Sequence, residues 1–93
     1  MFMSLHEIVD DIMLYKLSEG AKQAFRKVGE KDLVHLHHTF GQTVRFEYQL
    51  WNDENPYTRL NYVPIVVDNV DVNPKHPDNF SNEIIRTIWK RMQ

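Results

Sequence analysis

The chain reads as a mainly α domain of about four helices, with one long, partly extended connection before the last helix. Three observations predict this. Apolar residues recur at helical spacing over residues 4–17, 30–51 and 79–92. Serine, proline and acidic side chains stand where helices begin. Residues 52–78 lose the periodicity and carry the turn signals Asn55-Pro56 and Asn73-Pro74. At 93 residues, the span 1–93 is a single small globular domain by size.

The first helix opens on Ser4-Leu5-His6-Glu7, the S-x-x-E capping box. Leu5, Ile8, Val9, Ile12 and Tyr15 form its apolar stripe, and Asp10 and Asp11 fall off it, toward solvent. Ser18 caps a second, shorter helix with Ala21, Ala24, Phe25 and Val28 inward and Lys22, Arg26 and Lys27 outward. Gly29 is expected to end it in the left-handed conformation.

The third helix, residues 30–51, is the longest expected element. Leu33, Leu36, Phe40, Val44, Tyr48 and Trp51 share one side. Gly41, at the edge of that side with His37, costs about 1 kcal/mol of helix propensity against alanine. Its presence implies close approach of a neighbouring helix. The opposite side gathers His35, His38, Gln42, Arg45 and Gln49, with the aromatic Phe46 among them. Glu47 points toward the apolar side and needs a cationic or hydrogen-bonding partner there.

In the connection, Pro64 interrupts the β-branched run Val63–Val67, which argues against a central strand. An edge strand, a short hairpin with Val70–Val72, or pairing with a second chain are the alternatives; the last would make the protein a homodimer. The final helix spans 79–92, with Asp78 or Ser81 as N-cap. Phe80, Ile84, Ile85, Ile88, Trp89 and Met92 form a broad apolar arc. Asp78 and Glu83 lie near its positive end, and Arg86, Lys90 and Arg91 toward its negative end.

Composition narrows the function classes. A 42% hydrophobic, 26% charged chain belongs with globular rather than disordered proteins. A net charge of −2 disfavours a sequence-independent nucleic-acid binder, which carries a basic excess. The absence of cysteine removes disulfides, thiolate metal sites and a cysteine nucleophile. No apolar run approaches the roughly 20 residues of a membrane span. The opening MFMSLHEIVDD turns acidic where a secretory signal is basic, so a cytoplasmic protein without membrane attachment is expected.

Few residues assemble into chemistry. His35 and His38 stand at i and i+3 and are weak metal candidates, because no third ligand has matching spacing. No metal and no cofactor are expected. His38 or His35 as acid or base with Arg45 on phosphate is the weak catalytic candidate, a small ribonuclease toxin. Ser81, His76 and Asp78 have the letters of a nucleophile set, but crowd a helix start without a glycine elbow. His76-Pro77-Asp78 also matches the tripeptide of J-domain co-chaperones, but no basic helix precedes it.

A longer pattern is more informative. Gly41, Arg45, Leu50 and Trp51 are followed by Asn55, Pro56 and Thr58, then by His76, Pro77, Asp78, Ser81, Ile84, Ile85 and Trp89. This resembles a family of small bacterial and phage proteins of unknown function with an R-N-x-x-x-L-W … N-P-x-T … H-P-D-x-x-S-x-x-I-I pattern. Phe46 stands here in place of the asparagine. The resemblance covers roughly residues 37–92 and implies a bacterial or mobile-element setting, with no activity attached.

The motif ends flank the long connection, so folding is expected to bring Arg45 to Asp78 as an ion pair, with Trp51 and Trp89 nearby. The expected binding residues are Arg45, Phe46, Trp51, Asn55, His76, Asp78 and Ser81. The expected function is a non-enzymatic protein-interaction module: an inhibitor, antitoxin-like or immunity-like factor with a protein partner. A nucleic-acid-binding regulator using the basic run 22–31, or the ribonuclease, are the alternatives.

Overall fold

The last helix, rather than the third, is the hub of the molecule. In the computed structural model, which describes all residues 1–93, α5 (Pro77–Arg91) packs against α1 (Leu5–Asp11), α3 (Leu33–His38) and α4 (Phe40–Glu47). Its Phe80, Ile84, Ile85 and Ile88 join Ile8, Val9, Ile12, Phe25, Leu33, Val44 and Leu50 in one core. With α2 (Glu19–Lys27) there are five α-helices and one small antiparallel sheet, so the fold is mainly α. No helix is long and apolar enough to cross a membrane.

The capping box of α1 is formed. Ser4 Oγ accepts from the Glu7 N–H at 3.3 Å, and Glu7 Oε1 accepts from the Ser4 N–H at 2.9 Å. The helix runs on as a π-helical stretch, Ile12–Lys16. The wider turn shifts the phase of the stripe: Tyr15, expected inward, is exposed, and Met13 and Leu17 pack on the core instead. Asp10 and Asp11 are not merely solvated. Asp10 pairs with Arg91 at 2.5 Å, and Asp11 accepts from the Tyr48 hydroxyl at 2.6 Å. Lost hydration, then the neighbouring Asp11, hold the Tyr48 hydroxyl well above its ordinary pKa.

Ser18 caps α2, accepting from the Ala21 N–H at 3.1 Å. Gly29 is not left-handed: its φ of −77° and ψ of 157° are extended, as is Val28 before it. The Val28 carbonyl is taken by the indole N–H of Trp89 at 2.7 Å, which holds this end of the chain to α5.

The expected helix over 30–51 is three pieces: a 3₁₀ turn at Glu30–Asp32, then α3, then α4 after a break at Thr39 (φ −102°, ψ −75°). Helical structure ends at Glu47, earlier than the periodicity indicated. The cause is a Schellman closure. Gln49 is left-handed at φ 54°, its N–H bonds the Phe46 carbonyl, and the Leu50 N–H bonds the Arg45 carbonyl. This turns Trp51, expected inward, to half exposure and buries Leu50 fully instead. Glu47 is exposed rather than inward, but has the expected cation, Lys16 at 3.6 Å.

The connection is turned rather than extended over most of its length. Its short hairpin pairs β1 (Val66–Val67) with β2 (Val70–Asp71). Asp68 and Asn69, both left-handed, make the tight turn whose twist suits a two-residue hairpin. Tyr62 donates to the Asp71 carboxylate, Asn73 Nδ2 donates to the Val63 carbonyl at 2.7 Å, and Asn79 Nδ2 donates to the Asp71 carbonyl at 2.9 Å. Together they tie the hairpin to the start of α5. That helix starts earlier than expected. Its N-cap is His76, whose Nδ1 accepts from the Asp78 N–H at 3.1 Å, rather than Asp78 or Ser81. Pro77 has no N–H to satisfy and sits at the first helical position.

Candidate functional site

Arg45 joins α4 to α5. Its Nη1 donates to Ser81 Oγ at 2.9 Å, its Nη2 donates to the His37 carbonyl at 3.4 Å, and its Nε lies 3.6 Å from Asp78 Oδ1. Ser81 in turn donates to the Asp78 carbonyl at 3.0 Å. The expected Arg45–Asp78 pair is therefore formed, with Arg45 at 15% side-chain exposure. Gly41 makes room for it. A Cβ there would lie 3.0 Å from Arg45 Nη1, 3.4 Å from His37 Nδ1 and 3.5 Å from Ile85 Cδ1. The close approach expected at this glycine is to the guanidinium first and to α5 second.

His37, rather than His38, is the histidine at this network. Its Nδ1 is buried without a hydrogen-bond partner. Burial, then the Arg45 charge, lower its pKa from the ordinary value, with Asp78 opposing. His35 and His38 are exposed on α3, and no group of three or more His, Asp or Glu residues gathers around them.

A second cluster holds Trp51. Its ring meets His76 edge-on at 5.4 Å, and Tyr62 meets His76 at 6.1 Å. The Arg59 guanidinium lies 5.5 Å from the Trp51 ring and 5.2 Å from the Tyr62 ring, with Asp53 at 3.7 Å. Loss of hydration and the bond to Asp71 push the Tyr62 hydroxyl up to about 12. Trp89 is not part of this cluster, because it lies at the far end of α5, on Val28.

Between these clusters lies an open depression of about 550 Å³ lined by Gln42, Arg45, Phe46, Gln49, Trp51 and Asn52. Phe46 is 84% exposed and Trp51 50%, so two aromatic side chains flank three side-chain amides and an anchored arginine. Asn52 was not among the residues expected from sequence. Gln42 and Gln49 were placed only on a polar face, although their spacing around Arg45 and Phe46 is the i, i+3, i+4 signal of a shared helix surface.

Asn55 and Ser81 lie beneath the surface rather than on it. Asn55 is fully buried; its Nδ2 donates to the Gln49 carbonyl at 3.1 Å and its Oδ1 accepts from the Tyr57 N–H at 2.9 Å. Thr58 donates to the Leu50 carbonyl at 2.7 Å. These two residues fix the turn that presents Trp51. Ser81 and His76 do not form a nucleophile and base: Ser81 bonds Arg45 and Asp78, while His76 Nδ1 caps α5.

The fold and this surface define a small, mainly α domain with a pre-formed, amide- and aromatic-lined depression. A family model described as a domain of unknown function (DUF6794) matches residues 11–92, and the chain belongs to that family. Neither a curated protein nor a solved structure matches it.

Proposed function

We propose that the protein is a non-enzymatic protein-binding module whose docking site is the depression around Phe46 and Trp51. One observation carries this reading: an 84% exposed phenylalanine and a half-exposed tryptophan border a concave surface held on an arginine network. Aromatic anchors in pre-organised concave patches supply most binding energy at protein interfaces. The amides of Gln42, Gln49 and Asn52 offer donors and acceptors for a partner's backbone. In a bacterial or phage setting such a module serves as an inhibitor, an antitoxin-like or an immunity-like factor. The ribonuclease alternative loses support, because all three guanidinium nitrogens of Arg45 already face protein acceptors rather than a phosphate.

The test compares the wild type with Phe46→Ala and Trp51→Ala in affinity capture from the native host. A discrete protein retained by the wild type and lost from both variants is the expected result, with circular dichroism unchanged for Phe46→Ala. Equal retention by all three would overturn the assignment of this surface. A nucleic-acid regulator is the second reading, carried by Arg26, Lys27 and Lys31, none of which has an ion-pair partner. Retention of DNA or RNA that weakens steeply with salt would favour it.

A further inference from the structure

The hairpin presents a half-exposed aliphatic face. Side chains alternate across a strand, and Val67 pairs with Val70. The Val72 N–H bonds the Ile65 carbonyl at 2.7 Å, which extends the same register. Ile65, Val67, Val70 and Val72 therefore share one side of the ribbon, each between 46% and 59% exposed. The other side carries Asp71, held by Tyr62, and its pair Val66, which is exposed as well. Contiguous exposed aliphatic side chains of this kind are candidates for a contact surface.

A matching surface lies elsewhere on the molecule. An apolar groove of about 380 Å³ runs along α2, lined by Leu17, Ala24, Phe25, Leu36 and Phe40, with Lys16 on its rim. The two surfaces belong to opposite ends of α5. The hairpin is tied to Asn79, whereas the groove residue Val28 is tied to Trp89. Ten residues of helix separate those anchors, about 15 Å. The hairpin cannot fold back into the groove of its own chain.

The charges complement one another. Residues 16–31 carry Lys16, Lys22, Arg26, Lys27 and Lys31 against Glu19 and Glu30, a net charge of +3, or +2 once Lys16 is set against its partner Glu47. Residues 52–78 carry Asp53, Glu54, Asp68, Asp71 and Asp78 against Arg59 and Lys75, a net charge of −3, or −2 once Asp78 is set against its partner Arg45. Two hairpins face to face would bring like-charged segments together, whereas hairpin to groove brings opposite ones together.

We propose that the hairpin of one copy docks into the α2 groove of a second copy, in a head-to-tail contact. The aliphatic face fills the groove, and the acidic connection faces the basic run. The contact is heterologous, so an open assembly of any length keeps one unfilled hairpin at one end and one unfilled groove at the other, and grows as a filament unless a ring closes. It uses neither Phe46 nor Trp51, and stands or falls separately from the docking reading above.

Sedimentation velocity on the full chain at low salt tests it. The wild type should show a mass that rises with concentration above the 11.2 kDa of one chain, and falls back as salt screens the rims. Val67→Asp breaks the hairpin face and Ala24→Glu the groove; both positions are exposed, and each variant alone should stay monomeric. An equimolar mixture should form a species of twice 11.2 kDa and grow no further, because one intact hairpin meets one intact groove. Val70→Asp and Ala24→Arg serve as the second pair should either first variant misfold. A monomeric wild type, a mixture that stays monomeric, or association untouched by groove variants would overturn the proposal.

Discussion

At the scale of single residues, Arg45 is the polar side chain that ties α4 to α5. Its head group meets Ser81, the His37 carbonyl and Asp78 while mostly shielded from water. Arg45→Ala leaves those acceptors without their donor and should lower stability by about 2 kcal/mol, read as a shifted urea midpoint. Gly41 makes a sharper test, because its effect should change sign. Alanine improves helix propensity by about 1 kcal/mol, yet its Cβ would press on a guanidinium held by three partners. Gly41→Ala should destabilise the wild type by about 1 kcal/mol and stabilise the Arg45→Ala background, which a double-mutant cycle measures. His37 adds a pH dependence. Its folded pKa lies below the ordinary 6.5, so between those values the unfolded chain holds a proton that the folded chain does not. This contribution to stability is complete above pH 6.5 and is lost as pH falls through the window, levelling off below the folded pKa. Urea midpoints taken from neutral to mildly acidic pH should fall for the wild type and flatten for His37→Gln. Glu7 and Asp71 act lower: the Ser4 N–H and the Tyr62 hydroxyl hold their carboxylates below the ordinary range, so their contributions vanish only in stronger acid.

At the scale of elements, the sequence was readable where local chemistry decides and opaque where a backbone turn rephases the chain. Ser4-Leu5-His6-Glu7 and Ser18 carry their caps in their own side chains, and both caps formed. The Arg45–Asp78 pair was legible because two motif ends flanked one connection. The inward Leu50 and outward Trp51 were not, since a period of 3.6 continues through Gln49 on paper. The Schellman closure there uses glutamine where glycine is usual, so no breaker residue announces it. The π-helical stretch at Ile12–Lys16 is silent in the same way, and moved Tyr15 to the surface. The depression formed by Gln42, Phe46, Gln49 and Asn52 depends on that closure, because helix and turn residues meet only once the chain reverses. Gln49→Gly should relieve the left-handed strain and stabilise by about 0.5 kcal/mol, a figure reduced by the lost bond from Asn52 Nδ2 to Gln49 Oε1. Thermal unfolding followed by circular dichroism would read the sign: a lower midpoint for the glycine variant would mean that the side-chain bond outweighs the backbone strain.

At the scale of the whole molecule, one helix carries both the core and the site. The inner face of α5 supplies Phe80, Ile84, Ile85 and Ile88, and its first turns supply Asp78 and Ser81 to Arg45. Three separate helices lean on it, so its apolar arc, readable from sequence, was a better guide to the centre of the fold than the longer stretch over 30–51. A domain of 93 residues is stabilised by roughly 5–14 kcal/mol in total, at about 0.05–0.15 kcal/mol per residue. Ile88 is fully buried in the middle of this shared core. Truncation to alanine removes buried methyl and methylene groups and leaves a cavity that surrounding helices cannot fully close, at a cost of about 2–5 kcal/mol. Ile88→Ala should therefore remove a large fraction of the total stability, whereas Phe46→Ala, on the surface, should change it by less than about 0.5 kcal/mol. Urea unfolding followed by tryptophan fluorescence in Trp51→Phe and Trp89→Phe backgrounds reads the two regions separately, since Trp89 reports the core end of α5 and Trp51 the surface cluster. Because one helix serves both regions, the two signals should fall together in Ile88→Ala, at one lowered midpoint. If Trp51 kept its wild-type midpoint while Trp89 shifted, the surface cluster would be an independent unit and α5 would not be the common support.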